Sequence, residues 1–182
     1  SQDDRAREAA RNDLEARLQR AFDMVESEDG SFELIEVALG RALPGTPAEL
    51  LVADSSRAHL RQAASTPAMV GAGCPVGSPS ECPAARRGQA QVFASSGDLD
   101  ACPHLRDRVD GPCSAVCVPV SIAGNTTAIL HATGTDGTPL HVDQVEVLEL
   151  VARRAGERVG VLRASARSET QAHTATLPGL VN

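Results

Sequence analysis

The chain has 182 residues, 42% of them hydrophobic, and 17 basic against 24 acidic side chains give a formal charge of -7. It holds no Trp or Tyr and three phenylalanines, Phe22, Phe32 and Phe93, so the basic surface and stacking platforms of a nucleic-acid binder are missing and nucleic acid is excluded as a partner. A chain of this length buries roughly 70% of its unfolded surface, enough for one core. No apolar run reaches the length of a membrane span, and the start Ser1-Gln2-Asp3-Asp4 lacks a signal peptide's apolar stretch, so a cytoplasmic location is expected.

Residues 5–28 carry Leu14, Leu18, Ala21, Phe22 and Val25 at helical spacing, and Glu28-Asp29-Gly30 is expected to end that helix. Ser31 is placed to cap a second helix, whose apolar positions Leu34, Ile35, Ala38, Leu39 and Ala42 run to the stop at Pro44-Gly45. Two short strands, 50–53 and 59–63, flank the turn Asp54-Ser55-Ser56. A Gly/Pro/Ser-rich loop covers 66–80, followed by a helical turn at 83–87 and a strand near 91–94. The clearest hairpin pairs 114–122 with 126–133 through Gly124-Asn125. In its first strand Val116, Val118, Val120 and Ile122 point one way, toward helices, and Ala115, Cys117, Pro119 and Ser121 the other, toward loops. Pro119 is unexpected in a central strand, since it donates no ladder hydrogen bond.

A long helix is expected over 142–174. Val145, Leu148, Ala152, Ala155, Val159, Leu162 and Ala166 are spaced 3, 4, 3, 4, 3, 4, a heptad seam. Its first half is open to two readings, packing on its own sheet or on a second chain; beyond Val159 a second chain is the expected partner. Leu148, Ala152, Val159 and Leu162 are the candidate dimer positions.

The order of these elements, the segment Arg87-Gly88-Gln89-Ala90-Gln91-Val92-Phe93, and the strands Ser114-Ala115-Val116-Cys117-Val118-Pro119-Val120 and Ala128-Ile129-Leu130-His131-Ala132-Thr133-Gly134 together resemble a GAF sensory domain over roughly residues 30–165. The resemblance implies an α+β fold: a central antiparallel sheet, terminal helices on one face and a loop-covered pocket on the other. It also accounts for Pro119, since proline at that point of the strand is usual in the family. The tail Glu169 to Asn182 resembles the linker and opening motif of a GGDEF diguanylate cyclase domain through Leu177, Gly179, Leu180 and Asn182, with Ala175 and Pro178 departing from the motif. The expected organisation is therefore an N-terminal amphipathic helix (1–29), a GAF core (30–141), a heptad helix and linker (142–174) and the start of a GGDEF-like domain (175–182). The implied function is a sensor that controls a cyclase in cis through a homodimeric helix.

Five cysteines in a reducing compartment argue against a disulfide framework. The resemblance implies that Cys82, Cys102, Cys113 and Cys117 border the pocket side of the sheet, with Cys74, in a Gly-rich loop, the odd one out. Four thiolates suit zinc or an iron–sulfur cluster, with His104 able to replace one; inert or redox-sensitive thiols and a disulfide switch are the other readings of the same residues. The dipeptides Cys74-Pro75, Cys82-Pro83 and Cys102-Pro103 leave haem as a minor option. His131 is expected in the core or pocket wall. The clusters Arg86-Arg87 and Arg106-Asp107-Arg108 are either a solvated loop face or a steering surface for an anion. There is no P-loop, no Gly-x-Ser-x-Gly elbow and no His-Glu-x-x-His, so no enzymatic activity is expected of this chain. The alternatives are a dimerisation scaffold without ligand and a thiol-dependent enzyme of GAF-like fold such as a methionine-sulfoxide reductase.

Overall fold

The structure is a computed structural model and describes residues 1–70 and 73–176. Its elements in chain order are α1 (Gln2–Asp23), α2 (Glu28–Ala42), β1 (Ala48–Ala53), β2 (Leu60–Ser65), α3 (Pro83–Arg87), β3 (Gln91–Phe93), β4 (Cys113–Ile122), β5 (Asn125–Thr135) and α4 (Val142–Thr176). Single 3-10 turns lie at Pro79–Glu81 and Pro103–Leu105.

The two N-terminal helices divide earlier than the sequence pattern places them. Ser27, not Ser31, caps α2: its side chain accepts from the Gly30 amide at 3.0 Å. Glu28 and Asp29 then fall in the first turn of α2, where carboxylates favour the helix dipole, and do not close α1. Ser31 lies fully buried inside α2, with its hydroxyl donating to the Ser27 carbonyl.

The five strands form one antiparallel sheet in the order β2-β1-β5-β4-β3. The β4–β5 turn is the two-residue pair Ala123-Gly124, with φ of 52° and 83° and Ile122 opposite Asn125. Such a turn needs the left-handed region at both centres, which Gly124 occupies without strain. It falls one residue before the expected Gly124-Asn125. Pro119 is accommodated because β3 pairs only with Ala115 to Cys117, so β4 faces no strand at Pro119 on that side.

Helices α1, α2 and α4 cover one face. Phe22, Phe32, Ile35 and Leu39 pack there with Leu50, Val116, Val118, Val120 and Leu130 of the strands. Val145, Leu148, Ala152, Ala155 and Val159 of α4 belong to the same core, each at 8% exposure or less. This corrects the assignment of Leu148, Ala152 and Val159 as dimer positions, since the seam is consumed by the domain's own sheet and helices. Leu162 is half-buried. The close fit has a local cause in Gly156, where a Cβ would stand 2.2 Å from the Ser121 carbonyl oxygen. Arg158 donates to the Val25 carbonyl and Arg163 pairs with Glu28, fastening α4 to the α1–α2 corner. Among the described residues no helix is long and apolar enough to cross a membrane.

Candidate functional site

Strand alternation sends every second residue of β4 away from the helices, and the antiparallel register lines those residues up across the sheet. Glu49 of β1 lies opposite His131 of β5, His131 opposite Cys117 of β4, and Cys117 opposite Gln91 of β3. Directly opposed residues share a face, so the loop-covered face carries a polar row between apolar neighbours. Glu49 and His131 are each 1% exposed and Cys117 is 8% exposed.

Buried polar groups must find partners, and these find one another. Cys117 Sγ lies 3.3 Å from His131 Nδ1, and Arg108 Nη1 lies 3.3 Å from His131 Nε2. A guanidinium only donates, so Nε2 accepts and the proton of the neutral ring sits on Nδ1, facing the sulfur. Burial first, and the Arg108 charge second, lower the His131 pKa to about 3. Burial likewise pushes the Cys117 thiol well above its ordinary range, with Cys82, Cys74 and Cys102 adding to the effect. The Glu49 carboxylate accepts from Gln62 Nε2 at 2.6 Å and from the Cys74 amide at 2.7 Å.

Residues 73–82, between β2 and α3, close over this row. The connection is pinned at Thr66, whose hydroxyl donates to the Thr46 carbonyl and accepts from the Ala48 amide, and at Gly77, whose carbonyl accepts from the Leu60 amide. Between these points Gly73 sits on the Glu49 carboxylate, where a Cβ would fall 1.9 Å from Oε2. Val76, Cys82 and Ala84 complete the cover, packed with Leu51, Cys117 and Ile129. Beside the row, a cavity of about 300 Å³ is lined by Pro47, Met69, Val70, Arg108, Cys113 and Thr133, among others.

The cysteines divide unlike the expected foursome. Cys82 and Cys117 share one cluster, against which Cys74 packs, while Cys102 lies in a separate one with Cys113 beside it. Cys74 is therefore not the odd one out: it joins Cys82 and Cys117, and burial raises its pKa to about 11. Cys113 has the Arg108 guanidinium 3.9 Å from its sulfur, an unfavourable neighbour for a metal cation. His104 is half-buried in the 3-10 turn at Pro103–Leu105. Among the described residues no group of three or more His, Cys, Asp or Glu side chains is placed to hold a metal.

Two residues at this site, Glu49 in the row and Arg108 beside it, are not singled out as site residues by the sequence pattern. Glu49 had a signal, a carboxylate inside the apolar stretch Ala48-Glu49-Leu50-Leu51-Val52, which is rarely buried without a purpose. Arg108 stands in the sequence only as part of a loop charge cluster, and nothing in its spacing ties it to His131.

No protein-family model and no curated protein matches the chain in sequence. Solved structures match it in shape. The GAF domain of a phosphoenolpyruvate-protein phosphotransferase from Coxiella burnetii superposes with a TM-score of 0.65 at 13% identity, covering 86% of this chain and 96% of that one. A free methionine-R-sulfoxide reductase from Neisseria meningitidis, solved with its substrate, gives 0.64 at 16% identity, covering 86% and 92%. A GAF domain/HD domain protein from Geobacter sulfurreducens gives 0.60 at 14%, covering 79% and 98%. The fold is thus the GAF fold, α+β with a five-stranded antiparallel sheet and a long C-terminal helix.

Proposed function

We propose that this chain is a sensory domain that takes a small ligand on the loop-covered face and passes its occupancy to α4. The observation that carries this reading is the two-sided character of β4. Cys117, in the buried polar row, sits between Val116 and Val118, which pack in the core shared with α4. A change on the ligand side moves the strand against which the signalling helix is seated, and packed interfaces of this kind shift between discrete arrangements. Control of a diguanylate cyclase in cis is the finer proposal. It rests on the tail resemblance, of which residues 177–182 lie outside the described residues. The homodimer proposal moves along α4 to the stretch past Val159, where Val161 is 55% exposed and Gly160 and Ala164 line an open groove. A lone exposed helix end has marginal stability in water, so a second copy of the same helix is the fitting occupant.

Cross-linking tests the sensory reading. A photo-cross-linking residue placed at Ser168, with the native thiols left intact, should cross-link two chains to an extent that changes when a ligand is added. A yield indifferent to every ligand class, including metals supplied after anaerobic purification, defeats sensing and leaves the ligand-free scaffold. Elemental analysis and a visible spectrum of the same preparation decide on zinc or iron–sulfur.

A thiol-dependent enzyme is the second reading, favoured by the Cys117–His131 contact. A thiolate nucleophile requires a lowered thiol pKa, and burial drives Cys117 the other way. Turnover of free methionine sulfoxide by the purified chain would establish it.

A further inference from the structure

We infer that the groove along α4 seats the projecting end of α4 from a second copy in antiparallel orientation, so that each chain fills the other's groove. This rests on the homodimer proposed above and names the surface it uses and the direction in which the two helices run.

The groove exists because β3 is short. It pairs with β4 only at Ala115 to Cys117, so beyond Cys117 the outer flank of β4 has no strand beside it. The space between that flank, the segment Gly88 to Ala90 and α4 is about 1210 Å³ and open to solvent, with Val118, Pro119 and Ala152 among its apolar lining. That exceeds the usual size of a small-molecule pocket and suits a segment of chain.

The end of α4 matches it in length. Every residue from Ala164 to Thr174 is exposed and the helix runs on to Thr176, so about 18 Å of helix projects past the domain. The groove follows α4 from Glu149 to Ala164, about 22 Å. Residues 164–174 include no Leu, Ile, Val, Met or Phe. A parallel two-stranded coil takes such residues along its seam, so this end lacks the means to zip to its own counterpart. Its small side chains instead suit a groove whose lining is already apolar.

Charge sets the direction. Arg153, Glu157, Gly160, Ala164, Arg167 and Gln171 are spaced 4, 3, 4, 3, 4 and fall within about 80° of one helix face. Laid antiparallel on a copy of itself and centred at position 162, this stripe sets Gly160 against the partner's Ala164, Glu157 against the partner's Arg167 and Arg153 against the partner's Gln171, each contact occurring twice by symmetry. Small residues then meet at the crossing, and opposite charges meet on either side of it. Laid parallel, the same stripe sets Arg153, Glu157 and Arg167 each against its own copy, and like charges repel. Arg167 has no ion-pair partner in its own chain among the described residues, while Glu157 touches only Arg154, which it shares with Glu15. For an output that must meet its own copy this is the silent arrangement, because it holds the two C-terminal ends apart.

The test places a photo-cross-linking residue at Ser168 in a mixture of isotope-labelled and unlabelled chains, so that mass spectrometry tells bonds between chains from bonds within one. Bonds should form to the partner's residues 149–160 or 88–90. Arg167→Glu, at an exposed site that does not threaten the fold, should weaken association by about tenfold, since two exposed pairs become repulsive at once; adding Glu157→Arg should restore it. Bonds to the partner's residues 164–172 mark a parallel pair and overturn the inference, as does a chain that sediments as a monomer at high concentration or an Arg167→Glu variant that associates unchanged. A parallel pair whose cross-linking still responds to a ligand removes this arrangement and keeps the sensor. An antiparallel pair indifferent to every ligand keeps the arrangement and removes the sensor.

Discussion

Cys117 Sγ and His131 Nδ1 face each other at 3.3 Å across β4 and β5, and burial holds them in the opposite state from a catalytic thiolate–imidazolium pair. The thiol keeps its proton and the imidazole stays neutral, because both charged forms lose hydration that nothing in the apolar cluster replaces. The pair is a structural hydrogen bond within the polar row, and its behaviour with pH follows from that.

Acid should destabilise the fold through His131. The ring titrates near 6.5 when unfolded and at about 3 when folded. Between those values the unfolded chain binds the extra proton, so stability is full above about pH 6.5 and falls as pH drops toward 3. The slope from this one group is at most about 1.4 kcal/mol per pH unit. Urea unfolding from pH 7 to pH 4 should show that acid limb, and His131→Leu should flatten it. An unchanged limb in the variant would place the titration elsewhere.

Alkali should act on Cys74 with the opposite sign. Its pKa rises from 9.0 to about 11 on folding, so the stabilisation is present below pH 9 and fades as pH climbs toward 11. Thiol labelling tracked by mass spectrometry should accordingly find Cys117 slowest and half-buried Cys113 ahead of Cys82 and Cys102 at neutral pH. Rapid modification of Cys117 in the folded chain would contradict the closed cover.

Three glycines separate tight contact from mere flexibility. A methyl at Gly156 meets the Ser121 carbonyl at 2.2 Å, and one at Gly73 meets the Glu49 carboxylate, whereas one at Gly40 of α2 meets nothing within 4 Å. Gly156→Ala should cost about 2 kcal/mol or more, by forcing α4 off the sheet. Gly73→Ala should cost about 1–3 kcal/mol, by displacing the Cys74 amide from Glu49. Gly40→Ala should add about 0.5–1 kcal/mol of stability. Denaturant midpoints order the three, and a neutral Gly156→Ala would show that the helix stands farther from β4 than described.

On α4, neighbouring valines should behave differently. Val159→Glu buries a carboxylate at a site 2% exposed and should unfold the domain, while Val161→Glu, at a site 55% exposed, should leave the circular dichroism unchanged. Sedimentation of the Val161→Glu variant then reports on dimerisation without disturbing the core. Any dimer of the unaltered chain that survives this substitution uses another surface.

Residue alternation and helical period were enough to place most elements, because they are local properties of the chain. The split of β4 into Val116, Val118, Val120 and Ile122 on one side and Cys117 on the other was legible for that reason, as were the long α4 and the hairpin to within one residue of its turn. The first helix boundary was misplaced because Ser27 and Ser31 are both plausible caps, and choosing between them depends on which serine ends up buried. The fate of the heptad seam was likewise undetermined: an apolar stripe needs cover, and its spacing does not say whether a second chain or the chain's own sheet supplies it. The site was the least legible part. Cys117, Glu49 and His131 meet through strand register across an order of β2-β1-β5-β4-β3, Arg108 reaches them from a loop, and Cys74 arrives on a strap folded back over the sheet. These are contacts between residues far apart in sequence, and no local propensity encodes them.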